Sequence, residues 1–355
     1  MAGGKKRRSH KSGLPPGALV HIGEVKTAAT AMVLSSYDEG TFVERDVSTL
    51  AEIDTPVTEN AIRWLNVYGL HDGQLIGEIG KHFGLHPLVV EDVLNTEQRP
   101  KVDGFEDYLF VVGKIYDSTR TRADLALDQV SMVIGRNFVL TFQERRSGTF
   151  EPVRQRLRSD ANPLRRQRSD YLAYSLLDAM VDGYFIVAER LGDKCEALEE
   201  EILGKPKRGV LQKAHELKRE LSLLRRTIWP TREMIGSLQR NHASFFSEET
   251  RLYLRDIYDH TVHLLEQLED LRDLLTGLLD IYLSSVSNRV NLEVRTLTLL
   301  TTVFMPAALV AGVFGMNFRT MPWVDHPDGF WSALALMGGV AVALFAVFWS
   351  RRLFR

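Results

Sequence analysis

The sequence predicts a composite fold: an α/β cytosolic domain, a long α-helical stalk and two C-terminal transmembrane helices per chain. Three observations point to it. Strand-like and helical runs alternate up to about Glu144, strand signals vanish after Asp170, and two C-terminal runs of just over 20 residues carry no charged side chain. The overall composition of the 355 residues hides those runs, with 45% apolar residues, 44 Lys and Arg, 46 Asp and Glu, and a formal net charge of -2. Such a balance argues against a generally basic nucleic-acid binder. The single cysteine, Cys195, excludes an intrachain disulfide and a four-cysteine zinc site.

In chain order, residues 1–17 begin MAGGKKRRSHKSG, a basic stretch followed by the short, proline-interrupted LPPGALVHIG. No apolar core of signal-peptide length follows, so these residues are expected to form a disordered cytosolic tail. Residues 18–168 are expected to form the α/β domain. Strand-type runs occur at Ala31–Ser36, Ile62–Tyr68, Tyr108–Tyr116, Gln129–Ile134 and Asn137–Phe142, the last two spaced as a hairpin across a short Gly-Arg turn. Helical stretches fall between them at Gln74–Phe83 and Pro87–Leu94.

Residues 169–295 are expected to form helices throughout. Asp170–Leu203 has apolar residues at helical spacing, and GKPKRG at Gly204–Gly209 breaks it. That stretch lacks the glycine spacing and the Ser/Thr after lysine of a phosphate loop, and reads as an exposed turn. A second helix spans about Leu211–Arg240, with a kink expected at Pro230. Ser247 then caps the longest helix, from about Glu248 to about Phe314, with Glu248 and Glu249 at the positive end of its dipole. At 1.5 Å per residue this helix is roughly 100 Å long. Leu264, Leu268, Leu271, Leu275 and Leu278 repeat at three and four, as in a packed stalk. Glu199, Glu200 and Glu201 read as a solvated charge run.

The uncharged runs lie within the first span, 296–318, and the second, 329–350; a helix needs about 20 residues to cross the hydrocarbon. Arg289 and Arg295 precede the first span, Arg351, Arg352 and Arg355 follow the second, and the loop 319–328 sets one arginine against Asp325 and Asp328. The positive-inside rule then puts both termini, including the basic tail 351–355, in the cytoplasm and the loop outside. Trp323, Trp331 and Trp349 fall near the expected interfaces, in contact with membrane lipid. Along the first span Asn291, Thr298, Met305 and Gly312 are seven apart, and Val294, Thr301, Ala308 and Gly315 form the adjacent series. A period of 3.5 keeps both series on one stripe. Small and hydroxyl residues of this kind either pack helices tightly or line a water-filled pore, and the spacing alone leaves both open. A pore would need several copies, since two spans cannot enclose one.

The first span closes on Gly315-Met316-Asn317, followed by Phe318 and Met321-Pro322. Upstream stand Tyr282-Leu283-Ser284-Ser285-Val286-Ser287-Asn288, Asn291, Leu297-Thr298 and Phe304-Met305-Pro306. Further blocks are His86-Pro87-Leu88, Glu91-Asp92, Gln98-Arg99-Pro100-Lys101-Val102 and Thr227-Ile228-Trp229-Pro230. In order and spacing these residues resemble the CorA family of divalent-metal transport proteins, over nearly the whole chain beyond about Gly13.

The resemblance implies a homopentameric, funnel-shaped channel with the long helix lining the pore and the second span outside it. The transported ion would be Mg²⁺, with Co²⁺ or Ni²⁺ also passing. Gly315, Met316 and Asn317 would form the selectivity filter: Gly315 lets the chain leave the helix, Met316 packs to position the loop, and five Asn317 amides hold the hydrated ion by its waters. Mg²⁺ dehydrates reluctantly, and a neutral ring binds without slowing release as carboxylates would. Leu297 and Met305 resemble an apolar constriction that gates by dewetting, with Asn291 as a polar ring below it. Val294 stands where methionine is common and Ala308 where threonine is common, and Trp323 replaces a frequent glutamate.

Asp92 and Asp280 resemble a regulatory pair that binds a divalent ion between neighbouring subunits, with Asp256 as a further acidic ligand; high internal Mg²⁺ would hold the pore shut. No nucleotide is required, because a divalent cation gains roughly 4.6 kcal/mol on entering across 100 mV. The alternative within the fold is a Zn²⁺ transporter of the ZntB branch, whose members often alter the middle of the Gly-Met-Asn triplet. A membrane-anchored scaffold fits the polar stripe poorly. An enzyme fits least, since neither a nucleophile–base pair nor a phosphate loop is evident.

Overall fold

The computed structural model describes residues 13, 15–54, 58, 61–116, 127–160, 162–204, 209–316 and 326–350. Asn317, the tail 351–355, most of the tail 1–17 and most of the loop 319–328 lie outside the described residues. The chain divides into two compact units, Met1–Gly277 and Leu278–Arg355.

In the first unit the order is β1 (Ala31–Tyr37), β2 (Phe42–Val47), α1 (Leu50–Ile53), β3 (Ile62–Tyr68), α2 (Gly73–His82), α3 (Pro87–Leu94), β4 (Lys101–Gly104), β5 (Tyr108–Tyr116), β6 (Leu127–Gly135), β7 (Phe138–Gln143), α4 (Glu151–Arg158), α5 (Ser169–Leu203) and α6 (Val210–Arg240). The helix α7 (Glu248–Phe314) begins in this unit and ends in the second, which also holds α8 (Gly329–Ser350). The sheet order is β2-β1-β3-β7-β6-β5-β4. Only β3 and β7 pair parallel; the other pairings are antiparallel, so the sheet is mixed. The hairpin expected from the sequence is β6–β7, with Ile134 opposite Val139.

Period-two alternation assigns the two faces of the sheet. Leu65, Val67, Phe110, Val112, Val133, Leu140 and Phe142 share one core with Ile76 and Ile79 of α2 and Val89, Val90 and Val93 of α3. The alternate residues face α4 and α5. Arg154 of α4 lies over the Trp64 ring at 5.1 Å and donates to Asn66 at 3.1 Å and to the Tyr68 hydroxyl. Gly113 of β5 lets α5 approach closely: a Cβ there would lie 2.5 Å from the Met180 sulfur.

Local chemistry starts the helices. Pro87 occupies the first turn of α3, and His86 Nδ1 accepts from the Leu88 N–H at 3.2 Å. Ser247 Oγ accepts from the Thr250 N–H at 3.2 Å, and the Ser247 N–H donates to Asp170 Oδ2 at 2.7 Å, tying the start of α7 to the start of α5. α6 continues as one helix through Pro230, although proline removes a backbone donor there. Along α7, Leu254, Ile257, Leu264, Leu268, Leu275 and Leu278 are buried, so the leucine repeat is a packing face.

Candidate pore helix and acidic cation sites

Three helices are long and apolar enough to cross a membrane among the described residues: α5, α7 and α8. Burial separates them. The apolar window of α5 is 67% buried within the fold, whereas that of α7 is 0% and that of α8 6% buried. α5 is thus an interior helix of the first unit. The apolar segments of α7 and α8 present their side chains outward, as a hydrocarbon environment requires. Trp331 and Trp349 are exposed near the two ends of α8.

The structure places Asn291, Val294, Leu297, Thr298, Thr301, Met305, Ala308 and Gly312 on α7, with Gly315 and Met316 directly after it. Val294, Leu297 and Met305 are well exposed within the chain. The threonine hydroxyls are turned onto their own helix: Thr298 Oγ1 donates to the Val294 carbonyl at 2.8 Å and Thr301 Oγ1 to the Leu297 carbonyl at 2.9 Å. Each hydroxyl proton is therefore used, and only oxygen lone pairs remain, which suit a hydrated cation rather than an anion. Leu300, Thr301, Phe304, Met305 and Ala308 line a surface groove of about 380 Å³.

At the end of α7 the Gly315 N–H still bonds the Ala311 carbonyl at 2.9 Å, and Met316 N–H bonds the Val313 carbonyl at 3.3 Å. Gly315 does not adopt a left-handed φ. A Cβ at Gly315 would lie 3.1 Å from the Ala311 oxygen, so its glycine relieves crowding in the last turn. A groove beside it is lined by Ala311, Phe314 and Gly315 with Gly329, Ala333 and Met337 of α8.

Of the acidic residues, Asp92 (on α3) and Asp256 (on α7) belong to the first unit and Asp280 (on α7) to the second. Asp92 is already partnered: it accepts from Lys101 Nζ at 2.7 Å and from the Gln98 amide. Lys101 also pairs with Asp103. Burial lowers the Lys101 pKa, but the hydrogen bonds it donates to Asp103 and Asp92, with the charges of those carboxylates, outweigh it and the net shift is upward. Asp256 lies 3.6 Å from His260 Nε2. Sequence inspection missed Asp178 of α5, whose carboxyl is pushed up to about 6 by burial first and by the charge of Asp182 next; Asp256 adds to the rise. An acid beside apolar neighbours in YSLLDAMVDGY was the available signal. Among the described residues no three His, Cys, Asp or Glu side chains cluster as a metal site within one chain. Cys195 is buried, and its thiol is pushed up to about 11 by that burial, which leaves it a poor nucleophile.

Comparison with known proteins places this architecture. A family profile described as "CorA-like Mg2+ transporter protein" matches residues 59–352. The cobalt/magnesium transport protein CorA of Thermotoga maritima is 42% identical over 344 residues, covering 97% of this chain and 98% of the relative. The structure of the CorA magnesium transporter from Methanocaldococcus jannaschii superposes with a TM-score of 0.74 at 23% identity, covering 89% of this chain and 97% of that one. The full-length CmaX structure superposes with a TM-score of 0.73 at 21% identity, covering 94% and 100%. Mixed sheet, long helices and uncovered C-terminal apolar helices agree with that fold, and the chain belongs to the CorA family of magnesium and cobalt transporters.

Proposed function

We propose that the protein is a homopentameric divalent-cation channel that admits Mg²⁺, and also Co²⁺ and Ni²⁺, down the membrane potential. The observation that carries this is the segment from Thr296 to Phe314. It has no charged side chain, its most apolar window is 0% buried, and it bears a stripe of small and hydroxyl residues leading to Gly315 and Met316. Five such stripes would enclose a path whose threonine oxygens face the hydrated ion. Asn317 would ring the outer entrance, and Leu297 and Met305 would form the dewetting constriction, with Asn291 as the polar ring below it. Both termini would lie in the cytoplasm.

Regulation would rest on Asp92, Asp280 and Asp256. Asp178, within the field of Asp256, would join that set. Carboxylates meeting across a subunit boundary repel one another, and a bound Mg²⁺ would relieve the repulsion and hold the closed state. The Asn317→Ala variant tests the filter: Mg²⁺ uptake is expected to be lost while the assembly keeps its mass. Full uptake by that variant would sink the assignment of the filter.

A further inference from the structure

The hairpin of α5 and α6 carries opposite charge on its two exposed faces. The helices pack against each other, and Leu191, Leu198 and Ile202 of α5 and Val210, Ala214 and Leu221 of α6 are all buried. The charges between them are used within the chain, Lys194 pairing with Glu220 at 2.6 Å and Lys213 with Glu201 at 2.5 Å. On the outward face of α5 stand Glu189, Asp193, Glu196 and Glu200, all exposed and spaced four, three and four. On α6 the same spacing sets Lys218, Ser222, Arg225 and Trp229 in one exposed row, flanked by exposed Arg219 and Arg226. At 1.5 Å per residue each row is about 16 Å long.

The basic row borders a groove of about 590 Å³ lined by Arg99, Ser222, Arg225, Arg226, Trp229 and Pro230. Arg225 has an in-chain partner, Glu269 at 3.2 Å. Among the described residues Arg99 and Arg226 make no ion pair, and neither do the four carboxylates on α5. In a chain of net charge -2, the groove is a local concentration of guanidinium beside a half-exposed indole. Arg and Trp are the residue types that anchor protein interfaces.

We propose that this groove receives the acidic face of α5 from a neighbouring copy of the chain. The proposal rests on the oligomeric reading above and names one of its contacts. Acidic against acidic, or basic against basic, would repel, so symmetric face-to-face pairing is disfavoured. Acidic against basic joins copies head to tail, and a head-to-tail contact whose rotation closes builds a ring. The two rows are equal in length, and the cations offered to the acidic row are Lys218 and Arg225 within the α6 row and Arg219 and Arg226 flanking it.

The test uses two differently tagged full-length chains, each in a Cys195→Ala background, co-expressed in one membrane. One carries Arg226→Cys and the other Asp193→Cys, Glu196→Cys or Glu200→Cys. A short bismaleimide suits the separation of a former ion pair better than a direct disulfide, which needs Cα atoms about 4.4–6.8 Å apart. A covalent dimer is expected with at least one mixed pair and with neither chain alone. Co-purification of the tags without a crosslink at any of the three positions would overturn the contact while leaving the oligomer standing. Failure of the tags to co-purify would remove both. Equal crosslinking in the Arg226→Cys chain alone would overturn the head-to-tail arrangement.

Discussion

Lys101 stands between Asp92, at 2.7 Å, and Asp103, so the first carboxylate of the proposed regulatory pair already has a resident cation. A divalent ion must displace or share it. A partly exposed pair of this kind contributes about 0.2–1 kcal/mol, so Lys101→Met is expected to raise Mg²⁺ affinity about 1.4- to fivefold. Mg²⁺-dependent protection from proteolysis would measure it, and unchanged or weaker protection would count against Asp92 as a ligand. Asp178 makes a pH prediction. Its folded pKa of about 6 lies above the ordinary aspartate value, so the native state holds the extra proton between about pH 4 and 6. Its contribution to stability is present below that window and is lost as pH rises through 6. In metal-free buffer Asp178→Asn is expected to stabilise the protein at pH 7, by on the order of 1 kcal/mol after solvent screening, and to do little near pH 4. Thermal unfolding at the two pH values decides it; equal shifts at both would contradict the raised pKa.

Among the elements, α7 depends on its start. Ser247 supplies a cap to Thr250, and its own N–H is held by Asp170. Ser247→Ala is expected to cost about 1 kcal/mol, read as a lower unfolding temperature, while Ser247→Asp should retain most of the stability. The same element shows what the sequence discloses. Its bounds followed from the cap, the leucine repeat and the absence of a charge near its end, each a strong local signal. The two sheet edges did not follow. β2 is the half-exposed FVERDV and β4 the four-residue KVDG. Edge strands are solvated and charged, which erases the apolar alternation that marks a strand. Central β3 and β5 carry that alternation or a buried run, and their bounds were legible residue for residue. The mixed pairing of the sheet was not legible, because it depends on which strands meet across long connections. Within the candidate site, a stripe of small and hydroxyl residues was visible as a seven-residue period, but the period alone does not distinguish pore lining from helix packing. Asp178 was hidden by the apolar helix around it, and the Lys101 bond to Asp92 required the fold.

For the molecule as a whole, burial distinguishes an interior helix from membrane spans where hydropathy alone does not. α5 meets the length and apolarity of a span, yet its side chains are used against the sheet, whereas the ends of α7 and α8 have no such cover. For the proposed passive entry, roughly 4.6 kcal/mol per divalent ion is available across 100 mV. That potential makes the central claim directly measurable. Purified protein in liposomes, with an imposed inside-negative potential, is given Mg²⁺ or Zn²⁺ outside and none inside. Mg²⁺ entry that grows with the potential and disappears in Asn317→Ala is the expected result; Zn²⁺ entry without Mg²⁺ entry, or Mg²⁺ entry indifferent to both the potential and Asn317, would contradict it.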